Sequence, residues 1–150
     1  MSPSLLLITV LVLSGFAYFV GVRRAFAVAG GPKNVKGLHS RPTYYGSLMM
    51  LWAAIPALIM FGFWLTFEDT IITHLVVAEL PAKFQDIPAD KMSLVINDIK
   101  NLASGNIAST ESANLKAAAT HYSQLLALSH AALAVVVLSI AVMSIGGIWW

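Results

Sequence analysis

The sequence predicts an all-α membrane protein with three transmembrane helices and a small helical extracytoplasmic cap between the second and the third. The first observation behind this fold class is composition: of the 150 residues, 58% are hydrophobic and 11% are charged, and the mean hydropathy is +0.78. Average chains carry about 25% charged residues. The second observation is that three stretches are apolar over lengths that cross a bilayer, and the third is that the charges between these stretches separate by sign.

Each apolar stretch is free of Asp, Glu, Lys and Arg, and the three run over Leu5–Val22, Tyr45–Phe67 and about Leu125–Ile148. A transmembrane helix needs roughly 17–25 residues of this kind. Pro56, inside the second stretch, is expected to kink that helix. Helices at the surface of a soluble bundle would keep a polar face, and none of these stretches has one. The predicted segments are a first transmembrane helix over 1–22, a basic cytoplasmic loop over 23–44, a second transmembrane helix over 45–67, an acidic helical periplasmic segment over 68–124 and a third transmembrane helix over 125–150.

The first stretch has to be compared with a cleaved signal peptide, because Ala27-Val28-Ala29 is similar to a small-residue cleavage site. A secretory signal carries its basic residues before the apolar run. Here residues 1–4 contain no basic side chain, and Arg23-Arg24 follow the run. This order is typical of an uncleaved anchor with its N-terminus outside.

The charges between the spans predict the orientation. The loop 23–44 has five basic residues and no acid, a sum of +5, whereas the segment 68–124 has seven acids and four lysines, a sum of −3. Short basic loops stay in the cytoplasm. We therefore expect a multi-pass membrane protein with its N-terminus outside and its C-terminus in the cytoplasm. Aromatic residues fall at the expected inner interface (Tyr44, Tyr45, Trp149, Trp150) and at the outer one (Trp64, Phe67, Tyr122).

The segment between the second and third spans has helical periodicity of its own. Apolar residues at helical spacing continue beyond the second span as far as Leu80 and stop at Pro81. The stretch Asp90–Ala103 is predicted to be an amphipathic helix with Asp90 as its N-cap and Gly105 as its stop. A third run begins near Ser109 and continues directly into the third span. It predicts one helix of about 39 residues, close to 58 Å at about 1.5 Å per residue.

Few residues carry chemistry. The chain has no cysteine, which excludes a disulfide scaffold, a Cys-ligated metal and a cysteine nucleophile. Four histidines suggest haem or metal ligation, but His121 and His130 are nine residues apart and so lie on opposite faces of one helix. His74 and His130 can approach one another near the outer surface, and His130 is a functional lead as an ionisable group inside a span. No ligand spacing accompanies them, so the sequence predicts no catalytic, cofactor-binding or metal site.

The glycines and alanines of the sequence predict one turn and several close contacts between helices. Gly30-Gly31-Pro32 is predicted to be a turn, since a phosphate-binding loop needs more glycines at fixed spacing. The formal net charge of +2 gives no indication of nucleic-acid binding. Small residues four apart allow close approach of another helix, either within the chain or from a partner subunit, and three such pairs occur: Ala17 with Gly21, Ala53 with Ala57, and Ala127 with Ala131.

A nine-residue run leads into the second apolar stretch, and two further residues of the pattern follow inside the stretch: Leu38, His39, Ser40, Arg41, Pro42, Thr43, Tyr44, Tyr45, Gly46, then Trp52 and Pro56. This run resembles the N-terminal region of long-form PstC-type phosphate ABC transporter permeases, which shows L-H-S-x-P-x-Y-Y/H-G before an apolar span with a tryptophan and a Pro-Ala pair. The resemblance covers essentially all 150 residues, because the first span, Arg23-Arg24 and the helical segment before the third span occur in the same order.

The resemblance implies a part in ATP-driven import of inorganic phosphate across the bacterial inner membrane, with a periplasmic N-terminus. The partners that it implies are the remainder of the permease, a second permease subunit, a cytoplasmic ATPase subunit and a periplasmic phosphate-binding protein. The residues themselves predict no cofactor, and the apolar spans predict membrane lipid as a further partner. The coupling loop by which such permeases hold their ATPase, and the further helices of the translocation core, do not occur in this sequence. We therefore expect the accessory N-terminal region of a permease, a scaffold or docking surface that is either part of a longer chain or encoded separately.

Two other functions compete with this one: a stand-alone three-span accessory or assembly subunit of another membrane complex, and a haem-binding membrane electron carrier. The run Leu38–Gly46 also has two interpretations. As a structural motif, Pro42 starts the second helix, Tyr44 and Tyr45 anchor it at headgroup depth, and Gly46 permits close approach of a neighbouring helix. As a docking motif, the run contacts the ATPase through His39 and Arg41.

Overall fold

The computed structural model describes residues 2–31, 40–81, 84, 87–106 and 113–149. Within these ranges lie four helices: α1 over Pro3–Val28, α2 over Pro42–Ala78, α3 over Ala89–Ala103 and α4 over Ala113–Trp149. No strand occurs among the described residues. Helices α1, α2 and α4 are each long and apolar enough to cross a membrane. The predicted all-α membrane fold with three such helices is therefore confirmed.

Helix α1 starts at a proline and extends beyond the apolar stretch. Ser2 is the N-cap, and its hydroxyl oxygen accepts a hydrogen bond from the Leu5 amide at 3.3 Å. The helix continues through Arg23 and Arg24 to Val28, so the basic pair is helical. Beyond it, Gly30 and Gly31 have φ angles of 75° and 114°. Such angles favour glycine, and the predicted turn is confirmed at these two residues.

Helix α2 spans 37 residues and passes through Pro56 without interruption. It begins at Pro42, whose fixed φ suits the first turn of a helix and whose missing amide hydrogen is not needed there. It ends at Ala78, and a turn precedes Pro81, where the sequence predicted the helix to stop.

Helix α3 differs from the prediction at its start. The N-cap is Pro88 rather than Asp90, and the Pro88 carbonyl accepts the first helical hydrogen bond from the Met92 amide at 3.0 Å. A proline with an extended ψ of 149° already sets the chain direction, so Asp90 falls inside the first turn, where its charge favours the helix dipole. The predicted stop is confirmed, because Gly105 has a φ of 82° just past the end of the helix.

Helix α4 is a single helix of 37 residues, close to the predicted length. Its predicted start near Ser109 lies outside the described residues. The helix thus begins before the third apolar stretch and continues into it without a break.

The chain divides into two compact units. One, the span unit, comprises residues up to Trp64 together with those from Ala132 onward, and the other, the cap unit, is Leu65–Ala131. The span unit has a core drawn from α1, α2 and α4, in which small residues are prominent; its buried members are Leu6, Val10, Ala57, Leu133, Ala134, Val137 and Ala141. Ser14 is also fully buried in this unit, and its hydroxyl donates to the Val10 carbonyl at 2.7 Å, which satisfies it inside an apolar region.

The cap unit has a separate core built from larger side chains. It joins the C-terminal part of α2, the amphipathic helix α3 and the first turns of α4, and its buried members are Ile72, Val76, Leu80, Ile99, Leu115 and Ala119. The opposite face of α3 is exposed and mainly polar, with Lys91, Ser93 and Asn97 exposed and Leu94 as an apolar exception at 65%. Helix α3 therefore buries one face and exposes the other, as an amphipathic helix does.

Candidate functional site

The run that leads into the second span is the first candidate site. Leu38 and His39 lie outside the described residues, while Ser40 and Arg41 are exposed and Pro42 is buried at the start of α2. The Arg41 carbonyl accepts a hydrogen bond from the Tyr44 amide at 2.9 Å, which closes the first turn. The described part of the run thus forms the start of a helix, and its residues differ in how far they are buried there.

Gly46 lies where α2 meets α1. A Cβ atom added to Gly46 would lie 2.6 Å from Val22 Cγ2 and 2.9 Å from two ring carbons of Tyr18. On the other helix, a Cβ added to Gly21 would lie 2.8 Å from the Tyr45 carbonyl oxygen and 2.9 Å from the Gly46 Cα. Real Cβ atoms essentially never come closer than 3.0 Å to such neighbours. The two helices therefore meet at a point where both backbones must carry glycine.

The other residues of the motif face outward to different degrees. Tyr44, Tyr45 and Trp52 are exposed and Pro56 is half-buried. Exposed aromatic residues near the end of an apolar helix suit the interface between lipid and water. Pro42 and Gly46 thus lie on the buried side of α2, and the three aromatic residues lie on its exposed side.

The three small-residue pairs of the sequence have different surroundings. Ala17 and Gly21 are buried, as are Ala53 and Ala57, so packing within the chain accounts for both pairs. Ala127 and Ala131 are exposed. Only this third pair presents its small residues outward.

A buried carboxylate is the second candidate site, and sequence analysis missed it. Glu68 on α2 is 7% exposed, and α4 supplies a neighbour to each of its oxygens. Ser129 donates its hydroxyl to Oε1, and His130 places Nε2 3.4 Å from Oε2. Charged groups are rarely this buried unless paired, because desolvation of a lone carboxylate is costly. The three side chains form a polar contact between two otherwise apolar helices, here called the Glu68 cluster.

Two further polar contacts of the cap unit are more exposed. Asp69 accepts hydrogen bonds from Lys100 Nζ at 2.6 and 2.8 Å and from the Tyr122 hydroxyl at 3.2 Å, so it links α2 to α3 and α4. Glu79 lies 3.1 Å from His121 Nδ1, but the Glu79 side chain is 69% exposed, against 9% for that of Glu68. The same pair of residue types thus occurs twice between α2 and α4, once buried and once in solvent.

Residue spacing along one helix could not predict the Glu68 cluster, because its members come from two helices. The carboxylates beside His121 and His130 belong to α2, and the Ser129–Glu68 contact joins residues 61 positions apart. His74, which the sequence offered as a neighbour of His130, is exposed. Across the residues that the structure describes, no group of three or more metal-ligating side chains is present. A polar residue in the turn after an apolar stretch, such as Glu68, was the available signal, because such a residue needs a partner.

A family model described as "Phosphate ATP-binding cassette transporter" matches residues 7–146 of the chain. The chain belongs to this family. The match covers all three membrane-spanning helices and the cap unit, and it confirms the resemblance carried by the run before the second span. Comparison with curated proteins and with solved structures gives no match. Membership makes the chain a transmembrane component of a phosphate transporter, and such transporters are assemblies of several subunits.

Substituting Gly46→Leu is expected to lower the amount of folded protein in the membrane. The new side chain has no room against Val22 and Tyr18, and overpacking of this kind costs about 1–3 kcal/mol or more. The measurement is the monodisperse fraction and thermal midpoint of the detergent-extracted chain. Gly62→Leu is the matched control in the same helix, because nothing lies within 4 Å of a Cβ at that position. Equal losses for both variants, or none for Gly46→Leu, would contradict the contact between α1 and α2.

His130→Leu is expected to destabilise the chain by about 1–3 kcal/mol, because it removes one partner of a buried carboxylate and leaves only Ser129 as the other neighbour described above. The double variant Glu68→Leu/His130→Leu should recover much of that loss, since an apolar pair leaves no buried charge. His121→Leu, whose partner Glu79 is exposed, should cost less than about 1 kcal/mol. Unfolding followed by circular dichroism in detergent measures these three variants and the single variant Glu68→Leu. A double variant that is worse than the sum of its single changes would show that the cluster does not act as a buried pair.

Proposed function

We propose that this chain is the accessory N-terminal membrane region of the permease subunit of an ATP-driven importer of inorganic phosphate. In this proposal it is a non-catalytic scaffold or docking surface rather than the translocation core. The observation that carries the proposal is the family match over residues 7–146, which extends over the three helices of the described residues that are long and apolar enough to cross a membrane. Its partners would be the remainder of the permease, a second permease subunit, the cytoplasmic ATPase and the periplasmic phosphate-binding protein.

The outward surface of the spans supports a docking role. Within the most apolar windows of α1, α2 and α4, only 28%, 22% and 22% of the residues are buried inside the chain. Most of each span is therefore available to lipid or to neighbouring helices. Small residues on such a surface let a second backbone approach, and the exposed pair Ala127 and Ala131 has this character.

The interior of the span unit supports a scaffold rather than a pore. Val10, Ala57, Val137 and Ala141 are 0% exposed at its centre and come from all three helices. Side chains fill the space between these helices. A path for a hydrated anion would need polar or basic residues lining it, whereas the core cluster is apolar and the buried Ser14 hydroxyl donates to a carbonyl of its own helix.

The run before the second span has a structural role in this proposal. Pro42 begins α2 and Gly46 permits its contact with α1, so the two residues fix where the chain enters the span and which helix it meets. Tyr44, Tyr45 and Trp52 remain on the outside as anchors or contacts. We propose further that the protein resides in the inner membrane with its N-terminus in the periplasm, as the separation of the charges indicates.

The proposed topology predicts opposite labelling of two single cysteines. The natural chain has none, so Ser104→Cys and Ser40→Cys need no other change. Both positions are exposed. In intact spheroplasts a membrane-impermeant maleimide should modify the cysteine at 104, in the cap unit, and spare the one at 40 until the membrane is opened. The reverse pattern would show that the N-terminus is cytoplasmic.

The scaffold role predicts association with transporter subunits without transport by the chain itself. Affinity-tagged chain extracted from native membranes in mild detergent should recover the ATPase and the second permease subunit, whereas an unrelated three-span protein with the same tag should not. Vesicles that contain the chain alone and internal ATP should take up labelled phosphate no faster than empty vesicles. Uptake by the chain alone would contradict the scaffold role, and failure to recover either subunit would contradict the docking role.

A further inference from the structure

The outward face of α1 carries an exposed arginine next to exposed aromatic side chains. The buried residues of α1 recur every three or four positions, at Leu6, Val10, Ser14, Ala17, Gly21 and Ala25. At about 100° per residue, the opposite side of the helix carries Phe16, Phe19, Val20 and Arg23. These four residues line an open groove of about 290 Å³, here called the Arg23 groove. From this geometry we propose that the Arg23 groove binds one anionic phospholipid, with the phosphate at the guanidinium and an acyl chain along the phenylalanines.

Arg23 has a guanidinium that is open to an anion. The residue is exposed, and its side chain forms no ion pair or hydrogen bond with any of the described residues. Its neighbour Arg24 differs, because that residue is half-buried and its Nη1 is enclosed. All Asp and Glu residues lie between Glu68 and Glu111, in the segment that the proposed topology puts on the other side of the membrane. An anion for Arg23 therefore comes from outside the chain, and a phosphate suits it, since a guanidinium binds phosphate through two parallel charge-assisted hydrogen bonds.

The apolar walls of the groove favour a lipid over a soluble anion. Phe16 and Phe19 are 61% and 65% exposed, and Arg23 is the first charged residue after the apolar stretch that contains them. At about 1.5 Å per residue, the two rings begin roughly 10 and 6 Å further into that stretch than the arginine. A ligand that fills the groove therefore has an anionic group at one end and hydrocarbon over roughly 10 Å beside it. A phospholipid headgroup with the first part of its acyl chain has this form, whereas free phosphate would gain nothing from the aromatic walls.

One wall of the groove is held in place before a lipid binds. The rings of Tyr18 and Phe19 meet edge to face, with their centroids 5.7 Å apart and an interplanar angle of 83°. Tyr18 in turn lies against Gly46 of α2, where its ring carbons would be 2.9 Å from an added Cβ. The contact between α1 and α2 thus helps to position Phe19, and binding does not have to order this side chain.

The test is lipid binding to the full chain in detergent, followed by native mass spectrometry. Dioleoyl phosphatidylglycerol and dioleoyl phosphatidylcholine have the same acyl chains and differ in headgroup charge. The first phosphatidylglycerol should bind about tenfold more tightly than the first phosphatidylcholine. Arg23→Gln should weaken phosphatidylglycerol roughly tenfold, as expected for loss of hydrogen bonds to a charged group. Arg41→Gln should weaken it by less than about twofold, because Arg41 is also exposed but precedes α2 and lies outside the Arg23 groove.

Two further arms address the aromatic walls and the source of the phosphate. Phe19→Ala should weaken both lipids about threefold or more without a change in charge, whereas Phe63→Ala, which removes a 59% exposed phenylalanine from α2, should change neither by more than about 1.5-fold. Glycerol 3-phosphate in large excess should not displace the lipid.

Three results would overturn the proposal: equal binding of the two lipids, equal effects of the two arginine variants, or equal effects of the two phenylalanine variants. Displacement by glycerol 3-phosphate would overturn it in favour of a site for soluble phosphates. Because recovery of the ATPase is measured separately, failure here would leave the proposed transporter role standing.

Discussion

The contact between Gly21 and Gly46 is the constraint on which the span unit depends. Apolar helices in lipid gain little from burying apolar surface, because the lipid is as apolar as a leucine side chain. Their association depends instead on van der Waals contact, which weakens steeply with distance. Two glycines bring the backbones of α1 and α2 closer than any side chain would allow. The buried alanines on both helices continue this close approach away from the crossing point.

The cap unit is held together by different forces. Its core uses Ile72, Ile99 and Leu115, which bury large apolar side chains as in a water-soluble domain. Its polar contacts cross between helices: Asp69 joins three of them, and the Glu68 cluster joins α2 to α4. A buried carboxylate adds little net stability, but it penalises every arrangement that leaves it unpaired. The Glu68 cluster therefore fixes the register of α2 against α4 more than it strengthens their association.

Hydropathy, together with the prolines and glycines that end helices, predicted most of the fold. The three apolar stretches, Pro81 and Gly105 located helices and ends correctly, because these signals act within a few residues. Asp90 was the wrong N-cap because Pro88 already sets the chain direction. The helical extension of α1 through Arg23 and Arg24 has a local cause as well, since nothing breaks the helix before Gly30.

The site was predictable only where its signals are local. A proline and a glycine four residues apart indicated a helix start and a close contact, and the structure has both features. The partner of Gly46, however, is Gly21 on another helix, and no local pattern pairs them. The partners of Glu68 could not be predicted for the same reason: Ser129 and His130 are 61 and 62 positions away, and only the antiparallel register of two long helices brings them to Glu68.

The distribution of charge connects the topology of the chain with its surroundings. All seven Asp and Glu residues lie between Glu68 and Glu111, whereas the charged side chains of the span unit are all Lys or Arg. In a water-soluble protein such a split would be costly, because like charges at one end repel and find no partner. At a membrane surface it costs less, since anionic headgroups supply the missing charge. A basic pair at the end of an apolar helix, such as Arg23 and Arg24 on α1, therefore suits the surface of a bilayer better than it suits bulk water.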